Sequence, residues 1–585
     1  MNKKIQYIIS VTLVLLLTVS CEDLRFGDAF LEMPQGNKEN LEYVFSSREN
    51  SEQALLAAYK TLPDGLIHKW GEDQKLQTGL LESLTDLNSA SKTYGAIEAS
   101  FYPGQLTASS APDQHKYNYS KGPVWSGIRA AWIYIENVDK VPDMTVQEKA
   151  TRKAEARVII AIHYTELLRN FGGVPWVGRS YKPDDTMEMP RMTVEDTVDK
   201  IVELLDSAIP DLPWTVSASD DGRMTAAAAM ALKVRVLLFA ASPLFNDDQP
   251  FVENPHSGEH LWWYGDFKQE RWQAVVDAGE KFMKALMENG YYALVDTGKP
   301  REDFRSASFN RANGEVLIST RKVTKYTRDH DGFINQVQWG SGNTTLDYVD
   351  MFPMKDGKKF SWDNPEHAIY PFFDINGNEV RDPRLYETVL IPNDQFDGRT
   401  AETWIGGRER RHKKYERDMC ASGFAMRKFR QDAKTPIGKF YSWPYLRLAE
   451  VYLSMAEALN EVGRRDEAYD YVSLVRTRVD LPNLSPGMTK EEFREAILTE
   501  RALEFGYEEV RFYDLIRWKR DDLFRKKLRG LNTYKKMGPV YTYEQYELPI
   551  RRVWQGEGWN PKWYLSPFPV EEVNKRYGLV QNPGW

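Results

Sequence analysis

The sequence predicts a mostly α-helical protein in which pairs of helices alternate with long irregular loops. Helical periodicity dominates the chain: apolar residues recur every three or four positions, which is the spacing of one helix face. The periodic stretches are separated by long segments rich in Gly, Ser, Pro, Asn and Tyr. Loops of such length in a compact protein are usually functional.

The composition of the 585 residues narrows the class of protein. Hydrophobic residues make up 42% and charged residues 28%, which is typical of a globular chain and not of a disordered one. The formal net charge of -8 argues against a general nucleic-acid binder, because binding phosphates requires clustered Lys and Arg. With Cys21 and Cys420 as the two cysteines, a disulfide framework, a Cys-rich zinc site and an iron–sulfur cluster are excluded.

The first residues resemble a bacterial lipoprotein signal. Lys3 and Lys4 precede an apolar run, Ile5–Val19, which is shorter than the roughly 20 residues that span a bilayer. Such a run is typical of a signal peptide that is removed on maturation. Because Cys21 follows it, we expect residues 1–20 to be cleaved and Cys21 to be acylated, which would anchor the protein in a membrane. Ordinary secretion with a coincidental cysteine is the alternative.

Six helices are predicted in the first half of the chain. The strongest helical pattern is that of Thr151–Asn170. Gly172 and Gly173 follow it and can form a left-handed cap, and Pro175 then prevents the helix from continuing. The six predicted helices are Ser51–Leu62, Trp125–Val138, Thr151–Asn170, Thr193–Ile209, Thr225–Ala240 and Arg271–Glu288.

Three more helices are predicted in the last third, at Tyr445–Val462, Arg465–Val479 and Lys490–Lys519. The first two are hinged at Gly463. Small and aromatic residues on their facing sides let antiparallel helices pack closely, as in tetratricopeptide units of about 34 residues.

Four long stretches show no sustained periodicity. Within the longest, the short apolar runs Glu315–Thr320 and Thr388–Ile391 interrupt a succession of turns. Basic and aromatic residues are interleaved in the last stretch. It is either a functional loop or a solvent-exposed surface loop without a function of its own. The four stretches are Ala90–Lys121, Pro243–Phe267, Arg301–Trp443 and Arg525–Trp563.

No strong catalytic motif is present. The chain lacks HExxH, GxSxG, a phosphate-binding GxxxxGK[ST] and a glycine fingerprint after a strand. His256 and His260 could ligate a metal, and Asn246, Asp247 and Asp248 could bind calcium, but such residues more often form turns. We therefore predict no cofactor and no metal. A glycosidase needs two carboxylates about 5–10 Å apart, a geometry that sequence alone leaves open.

Six segments behind the lipoprotein signal form a recognisable series: KAEARVIIAIHYTELLRNFGGVPWV (Lys153–Val177), GRMTAAAAMALKVRVLLFA (Gly222–Ala240), RDPRL (Arg381–Leu385), PYLRLAEVYLSMAEALN (Pro444–Asn460), LTERALEFGYEEVRFYDLIRW (Leu498–Trp518) and the final LSPFPVEEVNKRYGLVQNPGW. Four charged residues in the fifth segment, Arg501, Glu504, Glu508 and Arg511, have the spacing of helix-surface ion pairs. In this order, the segments resemble the SusD/RagB family of outer-membrane glycan-binding lipoproteins over nearly the whole mature chain.

The resemblance implies a mostly α-helical SusD-like fold with four tetratricopeptide-like helix pairs. It implies one compact unit, 21–585, with an N-terminal part of about 21–240 and a C-terminal SusD/RagB part of about 268–585. It further implies a non-enzymatic lipoprotein, exposed on the outer membrane, that captures oligosaccharide or polysaccharide for a SusC-like TonB-dependent transporter. A surface glycoside hydrolase, and a lipoprotein of the same fold that binds a non-glycan ligand such as peptide, are the alternatives.

The resemblance also suggests where ligand binds, because family members use aromatic residues on variable loops. Polar side chains nearby would serve the sugar hydroxyls, and Trp262 and Trp263 are further aromatic candidates. For each aromatic candidate, loop or core packing is the alternative role. The predicted ligand-binding residues are Tyr94, Phe101, Tyr102, Phe333, Trp339, Asp86, Asn88 and Asn343.

Overall fold

A computed structural model describes most of the chain, and it is mostly α-helical, as predicted. No helix among the described residues is long and apolar enough to cross a membrane. The predicted signal peptide 1–20 and Cys21 lie outside the described residues. The structure describes residues 38–65, 76, 79–91, 97–109, 119–120, 123–182, 184–186, 188–310, 313–323, 340–396, 398–410, 420–429, 440–536, 540–549 and 551–585.

All six helices predicted in the first half are present, with ends that differ by a few residues. The longest begins at a capping box, in which the Thr145 side chain accepts from the Glu148 amide while Glu148 accepts from the Thr145 amide. It ends at Gly172, whose φ of 78° suits glycine. The six are α2 (Arg48–Tyr59), α3 (Pro123–Asn137), α4 (Val146–Phe171), α5 (Val194–Ala208), α6 (Ala226–Ala241) and α7 (Gln269–Asn289), and a short helix that was not predicted, α1 (Lys38–Val44), precedes them.

The second half contains further helices, most of them short. The predicted pair hinged at Gly463 is confirmed as α12 and α13. The helices are α8 (Pro300–Phe309), α9 (Leu346–Met351), α10 (Pro365–Ile369), α11 (Pro383–Thr388), α12 (Leu448–Glu461), α13 (Arg465–Thr477), α14 (Lys490–Phe505), α15 (Arg511–Arg517), α16 (Asp521–Arg525) and α17 (Val570–Asn574).

Consecutive helices pack as four pairs: α2 with α3, α4 with α5, α6 with α7, and α12 with α13. The last pair joins the others because α12 packs against both α6 and α7. Gly279 of α7 permits this approach, since a Cβ there would overlap the sulfur of Met455 on α12. The helices therefore form one continuous scaffold with a shared hydrophobic core.

Strands occur where the sequence predicted turns and loops. β1 pairs antiparallel with β6, and β7 and β8 form a hairpin inside the stretch predicted to be irregular. The hairpin is rich in Tyr and Thr, which favour strands. The strands were not predicted because charged residues interrupt the apolar pattern of both segments. The strands are β1 (Val316–Val323), β2 (Val389–Leu390), β3 (Gln395–Phe396), β4 (Arg399–Thr400), β5 (Ala425–Met426), β6 (Phe440–Arg447), β7 (Arg529–Lys535) and β8 (Tyr541–Glu547).

The single helix predicted over Lys490–Lys519 is wrong. α14 ends at Phe505, and the chain turns before α15 begins at Arg511. Tyr507 adopts a left-handed φ of 66° within the turn, which is costly for a side chain with a Cβ. The turn places the Tyr507 hydroxyl within 2.5 Å of the Thr344 hydroxyl, so a buried hydrogen bond accompanies the unusual backbone.

The predicted helix-surface ion pairs around α14 are also wrong. Arg501, Glu504, Glu508 and Arg511 are buried, and each pairs with a residue outside the set. The spacing suggested a solvated helix face, whereas this face is covered by other segments. Buried charges need close partners because water is absent.

The contacts of Glu504 and Glu508 belong to a larger buried network, which we call the ion network, in which carboxylates and cations balance. It connects α11, α13, α14 and the ends of β1 and β6, so it fixes the C-terminal part of the scaffold. Its members are Glu315, Asp382, Glu500, Glu504, Glu508, Arg384, Lys428, Arg447, Arg476 and Arg478.

Candidate functional site

Three loops meet at Asn343, one of the predicted ligand-binding residues. Its amide nitrogen donates to Ser91 Oγ at 2.6 Å and to the Gly340 carbonyl at 3.3 Å. Its amide oxygen accepts from the Ala421 backbone at 3.3 Å. The Ser91 amide also donates to the Gly340 carbonyl at 2.8 Å. We call residues 83–91, 340–345 and 420–423 the loop junction; Asn343 is buried at its centre.

Asn88 lies in the same junction and is fully buried. Its side-chain nitrogen donates to Ser83 Oγ at 2.8 Å and to the Ser341 carbonyl at 2.7 Å, and its oxygen accepts from Tyr507 at 3.3 Å. Every polar atom of this side chain is therefore used within the protein. Asn88 also forms a β-bridge with Thr344, which aligns two of the three loops.

Asp86 forms a buried, bidentate ion pair with Arg511, with oxygen–nitrogen distances of 3.0 and 2.7 Å. Burial alone would raise the pKa of Asp86, but the charge and hydrogen bonds of Arg511 outweigh it and hold that pKa below its ordinary value. The Asp86 carbonyl accepts from the Thr345 hydroxyl at 2.6 Å. Asp86 thus connects the junction to α15.

Tyr102 is buried beneath the junction. Its hydroxyl donates to the Ser83 carbonyl at 2.9 Å and accepts from the Ala90 amide at 3.0 Å. Its ring meets the Trp554 ring edge-on, with 5.9 Å between centroids. Arg552 reinforces the contact by donating to the Thr85 carbonyl at 2.6 Å. Tyr102 therefore links the junction to the aromatic residues near the C-terminus.

Four of the predicted ligand-binding residues are buried and hydrogen-bonded within the protein. Asp86, Asn88, Tyr102 and Asn343 are buried and bonded inside the protein, so we expect them to support the loops and not to contact ligand. Asn and Asp in loops suggest exposed hydrogen-bonding groups, but such side chains also satisfy backbone groups of neighbouring loops.

The other aromatic predictions have different outcomes. Trp262 and Trp263 belong to the hydrophobic core. Tyr94, Phe333 and Trp339 lie outside the described residues and stay predictions. In the sequence, Tyr94 follows Ser91 by three positions and Trp339 directly precedes Gly340, so both adjoin the loop junction along the chain.

Phe101 lies on the wall of a cavity that sequence reasoning missed, which we call the aromatic cleft. The cavity holds about 40 Å³, and none of its described lining residues is charged. Half-buried Trp563 and Trp585 lie among the lining side chains. Its lining residues are Leu84, Phe101, Gly104, Leu106, Phe512, Phe524, Trp554, Trp559, Trp563, Leu565, Ser566 and Trp585.

Several elements hold the rings of the aromatic cleft in place. α16 supplies Phe524, which stacks on Trp559 with centroids 4.3 Å apart and planes 6° from parallel. The indole nitrogen of Trp585 donates to the Lys562 carbonyl at 3.1 Å. The Val553 amide donates to the Tyr102 carbonyl at 2.7 Å, which ties the cleft to the loop junction. The closely spaced tryptophans of the predicted Arg525–Trp563 loop were the available signal.

The described residues contain no group of three or more His, Cys, Asp or Glu side chains that could hold a metal ion. His256 contacts the Glu259 carboxylate at 2.5 Å, and both side chains are exposed. Asp247 pairs with Lys519. His256 and Asp247 thus form surface ion pairs, whereas Asn246 is buried and bonded to the backbone of Lys268.

Two family models match the chain. One, described as the SusD family, matches residues 310–585, and the other, described as starch-binding and associating with the outer membrane, matches residues 46–238. Among curated proteins, two SusD-like proteins of Formosa agariphila are 40% identical over 82 residues and 43% identical over 75 residues. These matches span 13% and 12% of this chain and only 16% and 14% of the relatives.

Solved structures resemble the whole fold. A SusD-like protein of Bacteroides fragilis is 24% identical, with 93% of this chain and 99% of that one covered and a TM-score of 0.71. A SusD-like carbohydrate-binding protein of the same species is 21% identical, with 91% and 99% covered and a TM-score of 0.67. A laminarin-binding SusD-like protein is 18% identical, with 92% and 100% covered and a TM-score of 0.55. At these identities the likeness establishes the fold.

Proposed function

The chain belongs to the SusD family, and we propose that it binds oligosaccharide or polysaccharide at the cell surface without cleaving it. The observation that carries the proposal is the aromatic cleft, whose described lining residues carry no charge and whose rings pack on one another. A sugar ring has an apolar face of C–H groups, and covering it with an aromatic ring removes apolar area from water, at about 25 cal/mol per Å². Half-buried Trp563 offers such a surface, whereas Lys562 lies over the Trp585 ring with its Nζ 4.4 Å from the centroid.

The loop junction supports a second part of the same site. We propose that Tyr94, Phe333 and Trp339 contact the glycan from loops whose neighbouring residues are fixed at the junction. Ordering a loop on binding costs free energy, and a firm base reduces that cost. A site built from a few ring stacks should bind in the micromolar to millimolar range, or roughly 4–8 kcal/mol. Such affinity suits a protein that must release its cargo.

The proposed partner is a SusC-like TonB-dependent outer-membrane transporter, which would receive the glycan. Two observations support a glycan ligand and a location at the outer membrane. The family model that matches residues 46–238 is described as starch-binding and associating with the outer membrane, and two solved proteins of the same fold are described as carbohydrate-binding and laminarin-binding. We propose that the acylated Cys21 holds the protein at the surface of that membrane.

Binding without cleavage is the first expected result. The mature chain, with Cys21 replaced by Ala, is titrated with starch and laminarin by calorimetry, and reducing ends are followed over a day. We expect binding to at least one polysaccharide and no release of reducing ends. Trp563→Ala should weaken binding at least fivefold, because a stacking surface is lost. Trp214→Ala, a half-buried tryptophan packed on Phe282 and Tyr292 instead, is the matched control.

Steady release of reducing ends, abolished by substitution of one carboxylate, would instead place the protein among surface glycoside hydrolases. Binding of peptides, with no affinity for any polysaccharide in a wide panel, would favour the non-glycan alternative. Either outcome would refute the proposed function.

Loss of the lipid anchor gives a second expected result. In cells without the transporter, the wild-type protein should sediment with membranes and the Cys21→Ala protein should be soluble. The physical reason is that each buried CH₂ of an acyl chain contributes about 0.8 kcal/mol to membrane binding. Ser20→Ala, which retains the cysteine, is the control. Equal sedimentation of the wild-type and Cys21→Ala proteins would remove the lipid anchor.

A further inference from the structure

The aromatic cleft contains buried hydrogen-bond donors that have no partner among the described residues. In this part of the chain, the indole nitrogen of Trp554 and the hydroxyl of Ser566 are both buried without a hydrogen bond, and the two residues are 6% and 2% exposed. The backbone of Ser566 is satisfied, since its amide donates to the Asn170 carbonyl at 2.7 Å and its carbonyl accepts from Asn582 at 2.7 Å. Leaving a buried donor unpaired costs about 1–3 kcal/mol. A ligand with acceptor oxygens would remove that cost.

The lining of the cleft limits the chemistry of this ligand. No described lining side chain is charged, and Lys562 lies over the Trp585 ring without being a lining residue. A carboxylate, sulfate or ammonium group inside the cavity would therefore be buried without a counter-charge in the cavity wall, which is strongly unfavourable. The remaining walls are aromatic and aliphatic, so they favour an apolar group. The ligand group must therefore be uncharged, partly apolar and able to accept hydrogen bonds.

The size of the cleft limits the ligand further. About 10–15 Å³ accommodates one water-sized sphere. A cavity of about 40 Å³ thus holds about three heavy atoms, so a sugar ring that stacks on Trp563 can place only a small substituent inside the cavity. Water is a poorer match than a carbonyl, because water brings hydrogens that need acceptors, whereas most of the lining side chains have none.

We propose that the aromatic cleft binds the acetyl group of an O-acetylated glycan. An acetyl group has three heavy atoms, a methyl for the aromatic walls, and a carbonyl oxygen that can accept from Trp554 or Ser566. The ester stays intact, so no bond is formed or broken. The inference rests on the proposed function and deepens it, because it makes acetylated polysaccharides the substrate class.

The test uses saturation-transfer NMR on the mature Cys21→Ala chain with two probes, methyl 6-O-acetyl-β-glucopyranoside and methyl β-glucopyranoside. The acetyl methyl protons should receive the strongest saturation, and the acetylated probe should bind at least fivefold more tightly. Trp554→Phe keeps an aromatic ring but removes the N–H, and should reduce that preference three- to tenfold. Ser566→Ala is the second variant, and Trp214→Phe, far from the cleft, is the control. Melting temperatures confirm that each variant is folded.

The outcomes separate this inference from the proposed function. If polysaccharides bind but the two probes bind equally, the acetyl site is refuted and glycan binding stands. If the acetyl methyl is saturated in a Trp554-dependent way but no polysaccharide binds, the acetyl site stands and the proposed function fails. Absence of saturation at the acetyl methyl overturns the inference in either case.

Discussion

Replacing Glu504 with Gln is expected to lower the free energy of unfolding by about 3–5 kcal/mol. The carboxylate is fully buried in the ion network. It contacts the guanidinium groups of Arg384, Arg447 and Arg478 at 3.2, 3.0 and 2.5 Å. Removing its charge leaves the surrounding cations with too few anions, and buried charge without compensation is far more costly than the loss of a surface pair.

The measurement is the urea midpoint of the folded chain at pH 7, followed by circular dichroism. Glu467→Gln is the matched control, because Glu467 pairs with Arg464 in an exposed position, and its effect should be under about 1 kcal/mol. Similar small shifts for both variants would show that the ion network contributes little to stability.

The same residue makes stability depend on pH. Burial disfavours ionisation, but the neighbouring arginines outweigh it and hold the pKa of Glu504 well below its ordinary value. Because folding lowers this pKa, the stabilisation is complete above about pH 4.3 and is lost as the pH falls below it. The difference between wild type and Glu504→Gln should therefore shrink in acid.

Amphipathic helices were predictable because an apolar stripe indicates the buried face, as in α5 and α7. The break between α14 and α15 was not predicted, although Gly506 marks it, because apolar residues continue on both sides. Tyr507 accepts a left-handed backbone there, and its hydrogen bond with Thr344 comes from a loop far away in sequence. Local patterns carry no information about such a partner.

The candidate site was predictable only in part, for the same reason. In the sequence, Asp86 resembles an exposed loop carboxylate. In the structure it pairs with Arg511, which lies 425 positions later in the chain. The aromatic cleft combines Phe101 with residues from 512 to 585, so no short window of sequence contains it. The sequence did indicate that the long, aromatic-rich loops are functional. Phe101 and the tryptophans of 554–563 lie in such loops.

The loop junction and the aromatic cleft are mechanically connected. Tyr102 is bonded to the junction through Ser83 and Ala90, and its ring and carbonyl contact Trp554 and Val553 of the cleft segment. A change in the position of one is therefore transmitted to the other. A long glycan that contacts both would be held by two firmly supported surfaces, which favours chains over single sugars.

Replacing Trp339 with Ala is expected to weaken glycan binding at least tenfold, or by about 1.4 kcal/mol, with little change in melting temperature. In the sequence, Trp339 belongs to Gln338–Gly342, and we expect the two glycines of this segment to leave room around the indole. The neighbouring Gly340 is fixed at the loop junction by the Ser91 amide, so the substitution should leave the supporting loops in place. Calorimetry with the polysaccharide that binds wild type measures the loss, and Trp214→Ala is again the control. A large fall in melting temperature would assign Trp339 to the core, and an unchanged affinity would remove it from the binding site.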